Sequence, residues 1–336
     1  MLSVTMSYAR IRAIEYYLPE RTLTNQALEE TFPELTADRI LAKTGIATRH
    51  IAAGDECASD LAEKAANQLF DAGACSRDEI DALVLCTQSP DYFLPTTACL
   101  LQTRLGLRTS VAAFDFNLGC SGFVYGLGIA KGMIETGQAK NVLLIMAETY
   151  SKHIHPADRS VATLFGDAAA ATLLSADETV GGPSIGPFVY GTDGRGAEHL
   201  IVRAGGQRMP DAITAADKPG PQNLSMNGPA VFNFTLETVP ACVAQLCERA
   251  GITPDDVDLF VFHQANAYML EHLRQKIGIP AEKFAVCIKD CGNTVSATIP
   301  IALHDALKKG QLRSGMKVML VGFGVGLSWG AVMVQW

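Results

Sequence analysis

Short apolar runs alternate with polar turns and amphipathic stretches along this chain. Residues 82–85, 142–145 and 260–262 are continuous apolar runs, a pattern typical of strands that are buried on both faces. The amphipathic stretches between such runs end at glycines, as expected where a helix closes in the left-handed conformation. This alternation predicts an α/β fold in which largely parallel, buried strands are connected by helices.

The two halves of the chain resemble each other. A polar turn leads into an apolar strand at residues 76–85 and again at residues 253–262. Four further pairs follow in the same order, namely 104–107 with 276–279, 119–121 with 292–294, 137–138 with 310–311 and 141–147 with 317–323. Such self-similarity in a fixed order indicates that the fold arose by duplication.

We place the boundary between the halves near Gly181-Gly182-Pro183, which gives an N-terminal half of residues 1–183 and a C-terminal half of residues 184–336. Residues 205–228 are rich in Pro, Gly and Asp, and we predict that they form a long surface excursion of the second half. Residues 318–334 carry no charge, but glycines interrupt them, and they fall short of the ~20 residues that a membrane-spanning helix needs. Two buried strands joined by a tight turn explain them better.

The composition is that of a compact protein with a large core. Of the 336 residues, 48% are apolar and 18% are charged, and this length allows one large domain or two packed halves. The formal net charge of -8 argues against nucleic acid as a general partner. The nine cysteines include no CxxC pair, and residues 1–12 contain no basic stretch followed by an apolar run. We therefore expect free thiols in the reducing cytoplasm, with no signal peptide, membrane partner or metal site.

Cys120 lies in a tight turn between a predicted strand, residues 112–117, and a predicted helix, residues 123–136. At a helix N-terminus, the unpaired N–H groups and the helix dipole favour a thiolate over a thiol, and a thiolate can attack an activated acyl group. The neighbouring Gly119 and Gly122 allow a backbone N–H to approach the carbonyl oxygen of that group. The alternative is a buried structural cysteine, which is how we interpret the other eight.

His263 and Asn293 are the candidate partners of Cys120. His263 follows the apolar run 259–262, and such strand ends form the usual site edge of an α/β sheet. Asn293 occupies the position in the second half that Cys120 occupies in the first, so pseudo-symmetry predicts that all three side chains converge where the halves meet. His and Asn can donate hydrogen bonds to a thioester carbonyl and stabilise the enolate formed as carbon dioxide leaves. A core histidine, an ordinary Gly-Asn turn and a cysteine-protease pair are the alternatives.

These residues resemble the thiolase superfamily, and most closely the β-ketoacyl-acyl-carrier-protein synthase III family. The resemblance runs nearly from end to end, and its motifs are highly specific as a set. They are Lys43-Thr44-Gly45-Ile46, Asn117-Leu118-Gly119-Cys120-Ser121-Gly122-Phe123, Asp158-Arg159, Phe165-Gly166-Asp167-Ala168-Ala169-Ala170, His263-Gln264-Ala265-Asn266, Gly292-Asn293-Thr294 and Gly324-Val325-Gly326-Leu327-Ser328-Trp329-Gly330.

The resemblance implies a five-layer αβαβα fold that forms a homodimer and catalyses a two-step reaction. An acyl thioester of CoA or of a carrier protein acylates Cys120, and malonyl-acyl carrier protein is then decarboxylated with the help of His263 and Asn293 and condensed with the acyl group. The backbone N–H groups of Cys120 and Val325 are expected to form the oxyanion hole. No bound cofactor is implied, because coenzyme A takes part only as the thioester substrate.

The resemblance also implies residues that contact substrates and partners. Lys43 and Arg159 offer positive charge to the CoA phosphates. Arg274 and Lys276 lie on the helix that is expected to dock the acidic carrier protein. Phe93 lies where the acyl pocket and the dimer interface of such enzymes meet.

Two positions depart from the family pattern. Arg39 stands where a tryptophan usually stacks on the CoA adenine, and Tyr268 follows Ala267 where an arginine usually docks the carrier protein. The turn around Cys120, together with residues 148–152, is more similar to relatives that serve specialised pathways. Two other functions are possible on the same fold: an acyltransferase that passes the acyl group to a hydroxyl or amine, and a non-catalytic subunit of a heterodimeric synthase.

Overall fold

The computed structural model describes residues 7–177, 179, 182, 184–210 and 218–336. Within these ranges the α-helices are α1 Asn25–Thr31, α2 Ala37–Thr44, α3 Ala58–Asp71, α4 Thr97–Arg104, α5 Gly122–Glu135, α6 Arg159–Ala162, α7 Gly228–Ala250, α8 Ala267–Ile277 and α9 Thr298–Lys308. The strands are β1 Tyr8–Tyr17, β2 Thr22–Thr24, β3 Thr48–His50, β4 Ala82–Cys86, β5 Ala112–Phe116, β6 Asn141–Glu148, β7 Ala168–Asp177, β8 Ser184–Thr192, β9 Leu200–Ile201, β10 Ser225–Met226, β11 Leu259–Phe262, β12 Lys317–Gly324 and β13 Ser328–Gln335.

Two large sheets carry the fold, in the orders β1-β7-β6-β4-β5 and β11-β12-β13-β8. In the first sheet, β4 is parallel to β5 and β6, whereas β7 is antiparallel to β6 and β1. In the second sheet, β11 is parallel to β12, and β13 is antiparallel to β12 and β8. The expectation of largely parallel strands is therefore wrong, because each sheet is mixed. The chain returns from β12 to β13 through residues 325–327, and so short a connection allows only antiparallel pairing.

The layers follow from which side of each strand is apolar. In β4, Val84 contacts a central core that contains α5 and α9 and is closed on its other side by β11 and β12. The alternate residues Leu83 and Leu85 contact α3 and α4 on the outside of the first sheet. On the outside of the second sheet, Phe260 and Phe262 contact α7 and α8. The order is helix, sheet, helix, sheet, helix, which confirms the five-layer αβαβα fold.

The repeated elements of the sequence are repeated in three dimensions. A short 3-10 turn precedes both β4 and β11. In the first turn the Glu79 carboxylate accepts a hydrogen bond from the Ser76 backbone N–H, and in the second the Asp256 carboxylate accepts one from the Thr253 backbone N–H. Asp81 and Asp258, each one residue before its strand, accept backbone hydrogen bonds from the start of β6 and β12 respectively. Gly137 and Gly310 end the equivalent helices α5 and α9 with φ values of 74° and 69°. These matched contacts show that the fold consists of two duplicated halves.

The structure describes three segments singled out from the sequence to different extents. Of the proposed boundary, Gly181 and Pro183 lie outside the described residues, so the division at 183/184 stays a prediction. Within the predicted excursion 205–228, residues 211–217 also lie outside the described residues, and the described part includes β10, which pairs with β9. The apolar segment 318–334 forms the paired strands β12 and β13, as predicted.

Helix α7 is the one described helix that is long and apolar enough to cross a membrane by length and composition. Val239, Val243 and Leu246 of this helix are buried in the outer core against the second sheet. Its apolar face is thus explained by packing within the protein.

Candidate active site

A cavity of about 990 Å³ reaches from the protein surface to the junction of the two halves. Cys120, His263 and Asn293 all line it, although they lie on three separate segments of the chain. Each side chain is buried, with 5% or less of its surface exposed. The convergence that the sequence predicts is therefore present in the structure.

Cys120 lies between the end of β5 and the start of α5, with Ser121 as the N-cap residue of the helix. The C-terminal end of β12 packs directly on this turn. A Cβ atom on Gly322 would lie 2.8 Å from the Cys120 carbonyl oxygen, and one on Gly324 would lie 3.0 Å from Cys120 Sγ. Only glycines allow the two segments to approach so closely, which brings the backbone of the 325–327 connection beside the sulfur.

The expectation that Cys120 rests as a thiolate is wrong. Burial, and after it the nearby Glu148 carboxylate, raise the pKa of the Cys120 thiol to about 12. The backbone N–H groups of Cys120 and Val325 face the sulfur and lower its pKa, but by less than burial and Glu148 raise it. Backbone donors therefore do face the sulfur, yet the loss of hydration outweighs them. The resting group is a neutral thiol.

Glu148 is a buried carboxyl group that the sequence reasoning did not assign to the site. It ends β6 and joins the two halves, because Oε2 accepts a hydrogen bond from the Gln88 N–H at 3.0 Å and Oε1 accepts one from the Ser296 hydroxyl at 2.8 Å. Burial raises the pKa of Glu148 to about 8 despite these donors. A single acidic residue directly after the apolar run 142–147 was the signal in the sequence.

His263 follows β11 and is held in the second sheet by its backbone N–H, which donates to the Val321 carbonyl at 2.8 Å. Its Nδ1 lies 2.7 Å from Thr298 Oγ1, and its ring meets Phe323 edge to face at a centroid distance of 5.5 Å. Burial lowers the pKa of His263 to about 3. The imidazole is therefore neutral, and one of its two nitrogens carries a proton.

Asn293 is held across the junction of the halves. Its backbone N–H donates to the Leu164 carbonyl at 2.9 Å, and its carbonyl accepts from the Gly166 N–H at 3.0 Å. Its side-chain Oδ1 accepts from the Val295 N–H at 2.9 Å. Because that oxygen is occupied, the Nδ2 donors remain for a group inside the cavity.

The mouth of the cavity is basic on one side. Arg39 and Lys43 of α2 line it, as does Arg159, which forms an exposed ion pair with Glu34 at 2.5 Å. The N-terminus of α8 packs closely on this side, since a Cβ atom on Gly45 would lie 2.3 Å from that of Ala267. Exposed cations at an opening of this kind attract an anionic ligand.

The mouth also carries aromatic side chains. Phe232 and Tyr268 line it with their rings stacked at 5.8 Å, and the ring of His272 lies 4.1 Å from that of Tyr268. Tyr268 remains 55% exposed. Tyr268 therefore presents an aromatic surface at the position where the family resemblance implies an arginine.

Three residues predicted to make contacts lie away from the cavity. Arg274 pairs with Glu271 on the same helix at 2.6 Å and donates to the Ile279 carbonyl, and Lys276 is exposed nearby. Phe93 is 80% exposed at the surface, beyond the end of β4. The roles of these residues in binding a carrier protein or a second copy of this chain stay predictions.

Comparison with known proteins identifies strong similarities over the whole chain. Residues 114–194 match the family profile of 3-oxoacyl-[acyl-carrier-protein (ACP)] synthase III, and residues 247–336 match that of its C-terminal region. Beta-ketoacyl-[acyl-carrier-protein] synthase III 3 of Streptomyces coelicolor is 41% identical over 95% of this chain and 94% of its own. Beta-ketoacyl-[acyl-carrier-protein] synthase III of Caldanaerobacter subterraneus is 37% identical over 95% of each chain.

Solved structures agree with this result. A crystal structure of a 3-oxoacyl-(acyl-carrier-protein) synthase III is 50% identical and superposes with a TM-score of 0.93 over 98% of this chain and 100% of the other. The priming β-ketosynthase of the R1128 polyketide pathway is 28% identical, with a TM-score of 0.85 over 97% and 96% of the two chains.

Proposed function

Since the chain belongs to the 3-oxoacyl-[acyl-carrier-protein] synthase III family, whose acyltransferases catalyse a condensation in fatty acid synthesis, we propose that Cys120 is its nucleophile and that His263 and Asn293 support decarboxylation. The observation that carries the proposal is the shared cavity, in which a thiol, an imidazole and a free amide donor meet at the end of an open channel. Family membership favours condensation over the alternative of simple acyl transfer to a hydroxyl or amine.

In the first half-reaction, a bond forms between Cys120 Sγ and the carbonyl carbon of the acyl donor. The bond from that carbon to the donor's sulfur breaks. Because the thiol pKa is about 12 and the pKa of His263 about 3, a thiolate–imidazolium pair is not the resting state. The thiol proton therefore leaves as the new bond forms and ends on the departing thiol. The N–H groups of Cys120 and Val325, which face the sulfur, stabilise the oxyanion of this step.

In the second half-reaction, the bond between the malonyl carboxylate and its α-carbon breaks, and carbon dioxide leaves. The electron pair becomes an enolate, whose oxygen accepts hydrogen bonds from His263 and from Asn293 Nδ2. The α-carbon then attacks the acyl thioester on Cys120. The cysteine sulfur departs as a thiolate and takes up a proton from the solvent, which completes the cycle.

The basic mouth supports acyl-CoA as the donor. Lys43 and Arg159 line the cavity and are the proposed contacts of the CoA phosphates, and Arg39 adds a third cation to the lining where a stacking residue is usual. The aromatic pair of Phe232 and Tyr268 offers a stacking surface in the same cavity lining. An acyl-carrier-protein donor remains the second candidate, and malonyl-acyl carrier protein is the proposed extender. Arg274 and Lys276 are then the proposed docking cations.

A homodimer is the proposed assembly. The segment that follows β4 exposes Tyr92, Phe93 and Leu94 at 62%, 80% and 87% of their surfaces. Among the described residues, β5 is the edge strand of the first sheet. Exposed apolar side chains beside an open strand edge favour contact with a second copy. A cytoplasmic location agrees with nine reduced cysteines among the described residues.

The proposal is tested by intact mass spectrometry of the purified protein with a panel of acyl-CoAs, followed by malonyl-acyl carrier protein. We expect an acyl adduct on the wild type that Cys120→Ala lacks, and we expect malonyl-acyl carrier protein to clear it with release of carbon dioxide. Asn293→Ala should still accept the acyl group, but its carbon dioxide release should fall by about 100-fold, the usual effect of removing one oxyanion donor. An adduct that malonyl-acyl carrier protein leaves in place would contradict a synthase and favour acyl transfer.

A further inference from the structure

A buried arginine lies beside the mouth of the cavity. Arg49, in the short strand β3, has none of its surface exposed. Among the described residues, no acidic side chain forms an ion pair with it, and burial lowers the pKa of Arg49 to about 10. The guanidinium is therefore a cation at neutral pH. Because a buried charge without a counter-ion is costly, its hydrogen bonds have to offset that cost.

One set of these hydrogen bonds reaches α6. Arg49 Nε and Nη2 donate to the Thr163 carbonyl at 3.2 Å and 2.5 Å. Thr163 is the C-cap residue of α6, and the last carbonyls of a helix lack partners within it and favour a cation. A helix of four residues is not stable alone. Arg49 therefore holds in place the helix that begins with Arg159.

Another hydrogen bond leads to α2. Arg49 Nη1 donates to Asn25 Oδ1 at 2.5 Å. The Asn25 amide donates in turn to the Ile46 carbonyl at 2.8 Å and to the Ala37 carbonyl at 3.4 Å. Ala37 begins α2, and Ile46 follows two residues after its end. Arg49 is thus linked through one side chain to both ends of the helix that supplies the other two cations of the mouth.

The stem of Arg49 has little freedom to move. A Cβ atom on Gly166 would lie 3.3 Å from Arg49 Cβ, and one on Gly292 would lie 3.0 Å from Arg49 Cγ. The segments that contain these glycines therefore enclose the side chain closely. Thr163 lines the cavity, whereas Arg49 does not. Arg49 thus lies directly behind the lining, where it can hold the mouth in shape without touching a ligand.

We propose that Arg49 is a positioning residue that holds α2 and α6 at a fixed separation, so that Lys43 and Arg159 bind the phosphates of an acyl-CoA together. This inference rests on the proposed function, in which acyl-CoA is the donor. Two cations bind one ligand tightly only if their separation is set before the ligand arrives, since ordering them during binding costs affinity. The exposed Glu34 accepts from one nitrogen of Arg159, and the other nitrogens can donate to a phosphate.

The test compares acylation of Cys120 by two donors that carry the same acyl group. One is the acyl-CoA that acylates the wild type fastest, and the other is the N-acetylcysteamine thioester, which has no phosphate. The measured quantity is the ratio of the two acylation rate constants, followed by intact mass. Because both rates come from one preparation, the ratio is unaffected by a misfolded fraction or by a change at Cys120 itself.

Two variants and a control separate positioning from general stability. Arg49→Met removes the guanidinium and keeps a long side chain, and Asn25→Ala breaks only the link to α2. Arg108→Met is the matched control, because Arg108 donates to the Ile80 carbonyl and to Asp81 before β4. None of these three residues lines the cavity.

We expect Arg49→Met to lower the ratio about tenfold, the loss typical of one hydrogen bond to a charged group. Its rate with the phosphate-free donor should stay within about threefold of the wild type. Asn25→Ala should lower the ratio about threefold, and the ratio of Arg108→Met should not change. In a background of Lys43→Ala and Arg159→Ala, Arg49→Met should change the ratio by less than about twofold, because the residues through which it acts are gone.

A wild-type ratio in Arg49→Met would overturn the inference, because a purely structural role lowers both rates equally. A fall of undiminished size in the background that lacks Lys43 and Arg159 would also overturn it, since Arg49 would then act by its own charge. If Arg49→Met does not fold, a wild-type ratio in Asn25→Ala overturns the inference in the same way. A wild-type enzyme that both donors acylate equally fast would instead overturn the proposed acyl-CoA donor, and the inference with it.

Discussion

Glu148→Gln tests how a buried carboxyl group near the nucleophile affects stability. Burial raises the pKa of Glu148 from 4.5 to about 8 in the folded protein. Because the folded-state pKa is raised, the contribution of the protonated Glu148 to the free energy of unfolding is fully present below pH 4.5 and is lost as the pH rises to 8. At 1.36 kcal/mol per unit, this amounts to on the order of 5 kcal/mol. Glutamine cannot ionise, so the variant should not show this loss.

For a chain of 336 residues, the entropy of unfolding is about 0.7 kcal/mol per kelvin, so 5 kcal/mol corresponds to about 7 °C in Tm. We would record the Tm of both proteins from pH 4.5 to pH 9 by differential scanning calorimetry. The Tm of the variant relative to the wild type should rise by about 7 °C over that range. Titrating groups that do not interact with Glu148 are common to both proteins and cancel in the difference, whereas Asp167 contributes to the raised pKa of Glu148.

Glu248→Gln serves as the control, because it makes the same change at an exposed position of α7. Its Tm should follow the wild type at every pH. If the Glu148→Gln and wild-type profiles ran parallel within about 1 °C, the carboxyl group would not be held neutral by burial, and the reasoning would fail.

Three further predictions follow from the described contacts. Alkylation of Cys120 by iodoacetamide, followed on its peptide by mass spectrometry, should be slow at pH 7 and should rise steadily to pH 10, because burial and Glu148 hold its pKa near 12; a rate that levels off below pH 8 would mean a thiolate. Lys43→Glu should raise the KM for acyl-CoA about tenfold with little change in kcat, whereas an unchanged KM would exclude phosphate contact. Phe93→Asp should shift sedimentation toward the monomer if the exposed apolar segment is a dimer contact.

Most of the fold could be predicted because local patterns determine it. The apolar runs became β4, β6 and β11, and a left-handed glycine follows within two residues of the ends of α4, α5, α8 and α9. The direction of the strands could not be predicted in the same way. Whether β7 and β13 run parallel or antiparallel depends on which edge they join, and an apolar run looks the same in either direction.

The location of Cys120 could be predicted from its turn, but its protonation could not. A helix N-terminus is visible in a sequence, whereas the burial that opposes it comes from residues far away, such as Gly322 and Gly324 of β12. The link from Thr298 to His263 was missed for a similar reason. Those residues are 35 positions apart, and only the packing of α9 against β11 joins them.

The duplication also explains why equivalent turns can perform different chemistry. In the first half, α5 begins two residues after Cys120, and the backbone N–H groups of Cys120 and Val325 face the sulfur. In the second half, a 3-10 turn over Val295–Ala297 delays α9 to five residues after Asn293. Those added residues let the backbone turn left-handed at Val295 and bind the amide oxygen of Asn293. The same position thus presents backbone donors to a nucleophile in one half and a side-chain donor to the cavity in the other.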